Sequence, residues 1–349
     1  MRIWHFHYYP PLSGGGLARY VLDFLQIFPE IDQRIVFCRS SDKFADDREG
    51  LRDLPSHVLP LADFEIEALQ KSDVVLFHVT HTPHASWQRF AEVASAQIAQ
   101  VIFVIHTDLE HSEFNSLATW PERLRLKFIE HAYKCAGRSA RVAVFTSHQK
   151  SQLAWLSSIE AVVAPMPMFC NFEMSPTPIV ANKRLLIMGE RNIIKGYDRF
   201  IKFANLSPEL DFLSVGSGDI KCAELPTSRL LEIETLPYRQ SLSLLFDTRA
   251  LLIFSRSESW GRTILEAFLF RKPVLAFEPV GVLKQMPSEW IGHIALSSQR
   301  ADPTGMSEFT LSTTITALDR AADERRDWTL EKNLGYQAIW LNIIQSSVR

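Results

Sequence analysis

The sequence predicts an α/β protein made of two doubly wound, Rossmann-like halves with parallel sheets. Ten short apolar β-type runs alternate with helical or loop stretches, the order that builds parallel sheets. Runs such as Ala250–Phe254 are unbroken rather than alternating, as strands covered on both faces are. Ten strands exceed one small sheet, and a proline-rich, aperiodic stretch interrupts the chain at 165–178. The expected organisation is therefore an N-terminal domain over 1–167, a hinge over 168–182, a C-terminal domain over 183–325 and a terminal helix over 326–349.

The strands expected in the first half are Ile3–Tyr8, Arg34–Cys38, Asp73–Val79, Gln100–Ile105 and Arg141–Thr146. The first leads into Gly14-Gly15-Gly16 and then a helix with Leu17, Tyr20, Val21, Phe24 and Leu25 on one face. Glycines after a strand let the backbone approach a ligand and present amides to phosphate or a polar acceptor. A glycine-rich turn without a ligand is the competing reading, because the motif is not G-x-G-x-x-G. Histidines gather in this half at positions 5, 7, 78, 81, 84, 106 and 111. His78-x-x-His81-x-x-His84 lacks the H-E-x-x-H pattern, which favours site-lining or structural histidines over a metal. His106 directly follows a strand, where a doubly wound domain faces its cleft, and is the candidate for polar contact with a transferred group. Residues 120–150 mix seven basic side chains with Trp120, Leu124, Phe128 and Tyr133. This stretch reads either as an interfacial helix drawn to an anionic membrane or as an ordinary surface helix.

In the second half the expected strands are Arg184–Met188, Asp211–Val215, Ala250–Phe254, Val274–Phe277 and His293–Leu296. The first of these ends in a loop carrying Arg191 and Lys195, where open α/β sheets bind ligands. Arg191 suits bidentate contact with phosphate and Lys195 supplies a point charge, with solvated surface cations as the alternative. Val215-Gly216-Ser217-Gly218-Asp219 reads as a turn, since the third glycine of a dinucleotide fingerprint is absent. The most telling segment is Ser255–Val274, with Glu258 in a loop, Trp260-Gly261 at a strand-to-helix corner and Glu266 on the helix's second turn. Orphan first-turn amides and the helix dipole favour an anion there. Carboxylates beside them suit hydroxyls, so the corner points to a ligand that is both phosphate and sugar. The terminal helix carries Leu330, Leu334, Ala338, Leu341 and Ile344 in helical register.

Composition narrows the function classes. With 349 residues, 46% of them hydrophobic, the chain can bury two cores. A net charge of −3 argues against nucleic acid as a partner. Cys38, Cys135, Cys170 and Cys222 are far apart without a C-x-x-C pair, which fits a reducing cytoplasm. No apolar run reaches the roughly 18 to 20 residues of a membrane span, and the N-terminus has no signal-peptide core. No D-x-D pair or Walker loop is visible, so no metal or other cofactor is expected.

Together, Gly14-Gly15-Gly16 after the first strand, His106 after a central strand, Gly189 with Lys195-Gly196, and above all Glu258-x7-Glu266 followed by Pro273-Val274 resemble the retaining nucleotide-sugar glycosyltransferases of the GT-B fold, glycosyltransferase family 4. The resemblance spans nearly the whole chain. It implies two Rossmann-like domains facing a central cleft, with the C-terminal helix crossing back to the N-terminal, acceptor-binding domain. It also implies a donor-binding C-terminal domain. Glu258, with Trp260, Gly261 and Arg262, would hold the donor's sugar hydroxyls and phosphate, and Glu266 the ribose. Arg191 and Lys195 would neutralise the leaving diphosphate, Gly15 and Gly16 would line the phosphate or acceptor side, and His106 would contact the sugar near its reacting carbon. His106, Lys195 and Glu258 are the implied catalytic residues. The implied activity is metal-independent transfer of a hexose from a nucleotide-diphosphate sugar to a glycan or lipid-linked glycan during bacterial surface-polysaccharide assembly. A cytoplasmic location is expected, either free or attached peripherally to the membrane's inner face if 120–150 is the interfacial helix rather than the ordinary surface helix. A sugar-nucleotide epimerase and a non-catalytic glycan-binding partner subunit are the alternatives. The chain departs from the family pattern at Glu190, which stands where an arginine is usual, and at Arg271, which replaces a glycine.

Overall fold

The computed structural model describes residues 1–7, 16–37, 58–61, 64–79, 84–106, 131, 133–134, 140–153, 161–172, 174–176, 179, 181, 184–218, 220, 225–258, 260–294 and 305–346. Gly15, His81, His111 and most of 120–150 lie outside the described residues. The chain divides into two compact units: Met1–Phe169 with Asn333–Arg349, and Cys170–Lys332.

The first unit contains β1 Arg2–His7, α1 Gly16–Ile27, β2 Asp32–Phe37, β3 Val58–Pro60, β4 Val74–Val79, α2 His84–Ser95, β5 Gln100–Ile105, β6 Ala140–Val144, α3 Ser147–Gln152 and β7 Ala161–Val163. The strands form one sheet in the order β3-β2-β1-β4-β5-β6-β7, parallel throughout. Every residue of β4 and β5 is buried, consistent with runs that are apolar except for His78 and Gln100. Phe6 anchors the core edge-on against Phe64, Phe77 and Phe90, with centroids 4.9, 5.1 and 5.8 Å away, a favoured geometry for aromatic pairs.

The second unit contains β8 Leu185–Met188, α4 Tyr197–Leu206, β9 Phe212–Val215, β10 Leu230–Ile233, α5 Tyr238–Asp247, β11 Ala250–Ile253, α6 Arg262–Leu269, β12 Val274–Ala276, β13 Gly292–His293 and α7 Glu308–Asp319. Its parallel sheet runs β10-β9-β8-β11-β12-β13, over a core that includes Phe200, Phe203, Phe212 and Phe254.

The last helix, α8, spans Ala322–Ser346, and its residues from Asn333 onward belong to the first unit. There Asn333 accepts from the Met168 amide and donates to the Met168 carbonyl, both at 2.7 Å. Trp340 donates from Nε1 to the Pro165 carbonyl at 2.9 Å and meets Phe24 edge-on. These side chains satisfy backbone groups that the irregular 165–168 segment cannot pair in a ladder.

Both sheets reverse their strand order once, between β1 and β4 and between β8 and β11. Open α/β sheets bind ligands beyond the carboxyl ends of the strands at such a reversal.

Candidate functional site

In the second unit, the loops leaving β8 and β11 are locked together by backbone geometry. Gly196 caps α4 in the left-handed region, φ 68°, and a Cβ there would fall 1.9 Å from the Phe254 carbonyl oxygen. Only glycine fits that approach. Arg256 donates its amide to the Ile194 carbonyl at 2.9 Å and forks onto Asp198 at 2.7 and 2.8 Å. The irregular segment at Gly216 and Gly218 packs on the same loop: added Cβ atoms would lie 1.8 Å from the Gly189 oxygen and 2.5 Å from the Arg191 oxygen.

This framework brings Lys195 and Glu258 together although they are 63 positions apart, with Nζ 2.7 Å from Oε1. Ser255 donates to the same oxygen at 2.9 Å. Oε2 of Glu258 takes no bond from the described residues. The lysine side chain is 33% exposed and the glutamate 17%, so both are reachable. Of the three ammonium hydrogens one is engaged on Glu258, which leaves two for an anion.

Arg191 is placed differently. Its guanidinium is buried, 3.0 Å from Glu232 on β10, and Glu232 also accepts from Tyr197. Burial and Glu232 push the Tyr197 hydroxyl's pKa upward. Arg191 is thus tied into a pairing that the sequence did not reveal, since Glu232 and Tyr197 belong to other elements.

The α6 corner holds a second network. Gly261, φ 86°, precedes the helix. Trp260 is buried, and its carbonyl accepts from the Val282 amide at 2.8 Å. Glu266 is also buried; its Oε1 accepts from Arg262 Nε and from the Tyr238 hydroxyl, each at 2.7 Å, and Arg262 Nη2 donates to the Tyr238 oxygen at 2.9 Å. Burial, then Glu266, raise the Tyr238 pKa. Tyr238, like Glu232, escaped the sequence reading because neither spacing nor periodicity links it to its partner.

In the first unit, His106 follows β5 and is 8% exposed. Its Nε2 lies 2.8 Å from His78 Nδ1, and His78 Nε2 lies 3.0 Å from His5 Nδ1. His5 Nε2 in turn meets Gln33 Oε1 at 3.0 Å. All three imidazoles titrate below the usual histidine value because burial disfavours their charged forms, His5 at about 4. Gly16, the other predicted residue of this unit within the described range, opens α1. His84 also opens a helix, α2. Among the described residues no cluster of three or more His, Cys, Asp or Glu is arranged to hold a metal, and no helix is long and apolar enough to cross a membrane.

No family model matches the sequence, and no curated protein matches it. Solved structures do. The chain superimposes on HepE of Anabaena, in complex with UDP and glucose, with a TM-score of 0.71 at 13% identity, covering 99% of this chain and 100% of that one. A point mutant of TarM of S. aureus, in complex with fondaparinux, α-GlcNAc-glycerol and UDP, gives 0.74 at 11% identity, with coverage of 99% and 100%. The pneumococcal O-GlcNAc transferase GtfA, in complex with UDP and GlcNAc, gives 0.67 at 12% identity, with coverage of 100% and 99%. The likeness establishes the fold: two parallel-sheet α/β units of GT-B type.

Proposed function

We propose that the protein is a retaining, metal-independent glycosyltransferase that moves a hexose from a nucleotide-diphosphate sugar to a glycan or lipid-linked glycan in bacterial surface-polysaccharide assembly. The observation that carries this reading is the Lys195–Glu258 pair, 2.7 Å apart on the loops that leave the two strands flanking the second sheet's reversal. Lys195 has two hydrogens to offer a diphosphate, and Glu258 Oε2 is assigned a sugar hydroxyl. A charge-assisted bond to the leaving diphosphate contributes about 1.5–3 kcal/mol, and it grows in worth as negative charge develops on the leaving group. The corner of Trp260, Gly261 and Arg262 adds the first-turn amides of α6 for the phosphate. Glu266, oriented by Arg262 and Tyr238, is assigned the ribose. Arg191, paired with Glu232, is assigned the diphosphate through exchange of that partner for the incoming anion. His106 is assigned a hydroxyl of the reacting sugars, and Gly15 and Gly16 the phosphate or acceptor side.

The solved structures support the donor class: HepE and TarM are both seen with UDP, and TarM also with a glycan. The test is incubation with a panel of nucleotide-sugars and glycan acceptors in the presence of EDTA, followed by NMR of the product's anomeric centre. A glycoside with the donor's anomeric configuration, formed without metal and lost in Lys195→Ala, is expected. Conversion of the donor to its epimer without acceptor, an inverted product or dependence on added metal would each displace the corresponding part of the proposal.

A further inference from the structure

We infer that Gln33 fixes, through His5 and His78, the tautomer of His106, so that His106 presents an unprotonated, hydrogen-bond-accepting Nδ1 at the carboxyl end of β5. The chain of contacts crosses four neighbouring strands, β2, β1, β4 and β5. Ile3 pairs with Gln33, His5 with Leu76, and His78 with Val104. Each member of the series therefore lies two residues further along than the position opposite its predecessor. Side chains two apart share a face, so the series is a diagonal on one face of the sheet, climbing towards the ligand-binding edge.

Its polarity follows from the Gln33 end. Gln33 Nε2 donates to the Phe28 carbonyl at 2.8 Å and the Phe24 carbonyl at 3.4 Å, which orients the amide and turns Oε1 towards His5. An amide oxygen only accepts, so His5 carries its proton on Nε2. A neutral His5 then has a bare Nδ1, which must accept from His78 Nε2–H. By the same step His78 Nδ1 is bare and accepts from His106 Nε2–H. His106 Nδ1 is left without a proton. The reverse order would set the lone pair of His5 Nε2 against that of Gln33 Oε1 at 3.0 Å. Burial keeps the three rings neutral, so no second proton blurs the assignment.

His106 Nδ1 is buried and has no hydrogen-bond partner among the described residues. The ring is flanked by Phe145 and Tyr20, with centroids 5.0 and 5.8 Å away. A bare imidazole nitrogen accepts from a hydroxyl and repels the lone pairs of an ether, carbonyl or phosphate oxygen. The position therefore selects a hydroxyl and rejects an anionic oxygen. That the hydroxyl belongs to a sugar rests on the transfer reading above; the tautomer does not. The diagonal is also no proton conduit, since a proton pushed inwards would stop as an imidazolium on buried His5, with only an amide oxygen beyond it. Gln33, His5 and His78 are positioning residues.

The experiment is two-bond ¹H–¹⁵N correlation NMR of the full chain labelled with ¹⁵N-histidine, at pH 7 and without substrate. His5, His78 and His106 are expected as neutral Nε2–H tautomers. Gln33→Met, which removes the terminal acceptor, should shift His106 to the Nδ1–H form or a mixture of the two. A wild-type His106 found as Nδ1–H or as imidazolium overturns the inference, and so does a His106 tautomer unchanged in Gln33→Met. Should that variant fail to fold, the wild-type spectrum decides alone. A bare Nδ1 in a protein inert towards every nucleotide-sugar would refute the transfer reading and still support this one.

Discussion

At the strand ends of the second unit the polar side chains are charged and matched with opposites: Lys195 with Glu258, Arg191 with Glu232, Arg262 with Glu266. Along the corresponding diagonal of the first unit they are imidazoles kept neutral, bonded to one another and to an amide. Lys195 and Glu258 remain partly exposed, where a charged pair is cheap to keep and can exchange partners with an incoming anion. The histidines are buried, where a charge would be costly. On the transfer reading proposed above, the first set would meet the charge of a nucleotide-sugar and the second its hydroxyls.

That contrast is broken or sharpened most strongly by acid. The buried histidines titrate lower in the native state than the ordinary value of 6.5 that they regain on unfolding, His5 at about 4. Above pH 6.5 neither state holds the extra protons. Between 6.5 and about 4 the unfolded chain binds protons that the native state refuses, so stability falls as pH falls, by about 1.4 kcal/mol per pH unit per histidine. Hydrogen exchange at pH 7 and pH 5 should therefore show the first unit losing protection well before the second. Equal loss in both units would erase the contrast.

Next in size is Glu266→Gln. It removes the charge of the carboxylate that pairs with the buried Arg262 guanidinium, and breaking such a pair costs about 3 kcal/mol or more. A urea titration should show the second unit unfolding at a lower midpoint. Lys195→Ala removes a half-exposed charge and should barely move stability, but it should lower kcat/KM with the preferred nucleotide-sugar by about 10- to 150-fold, equivalent to about 1.5–3 kcal/mol. The smallest effect is at Arg271, whose φ of 58° is left-handed and whose ion pair with Asp323 is exposed. Arg271→Gly should raise the stability of the second unit by about 1 kcal/mol, read from the denaturation midpoint.

Much of the fold was legible in the sequence because buried parallel strands announce themselves as unbroken apolar runs. Nine of the ten strands expected are present over most of their length, and the tenth, His293–Leu296, is met only by Gly292–His293, with Ala295 and Leu296 outside the described residues. Val58–Pro60, Ala161–Val163 and Leu230–Ile233 were not foreseen; runs of three or four residues carry too little pattern to separate from loop. Lys195 and Glu258 were legible as loop residues because each follows a strong strand, whereas Gly216–Gly218, expected as a turn, is irregular backbone, its φ values of 151° and 152° set by packing against Gly189 and Arg191. Their partners were not: Glu232 sits on one of the short unforeseen strands, and Tyr238 begins a helix 28 positions before Glu266. Gln33 gave no signal at all, since its role depends on the register between β2 and β1, which only the folded sheet reveals.

The central claim is that Lys195 and Glu258 hold a nucleotide-diphosphate sugar. Titration calorimetry of the wild type and Lys195→Ala against a panel of nucleotide-sugars tests it most directly. The account predicts that one donor binds the wild type and binds Lys195→Ala at least about tenfold more weakly. Equal affinity in the two proteins, or no binding of any nucleotide-sugar to the wild type, would contradict it.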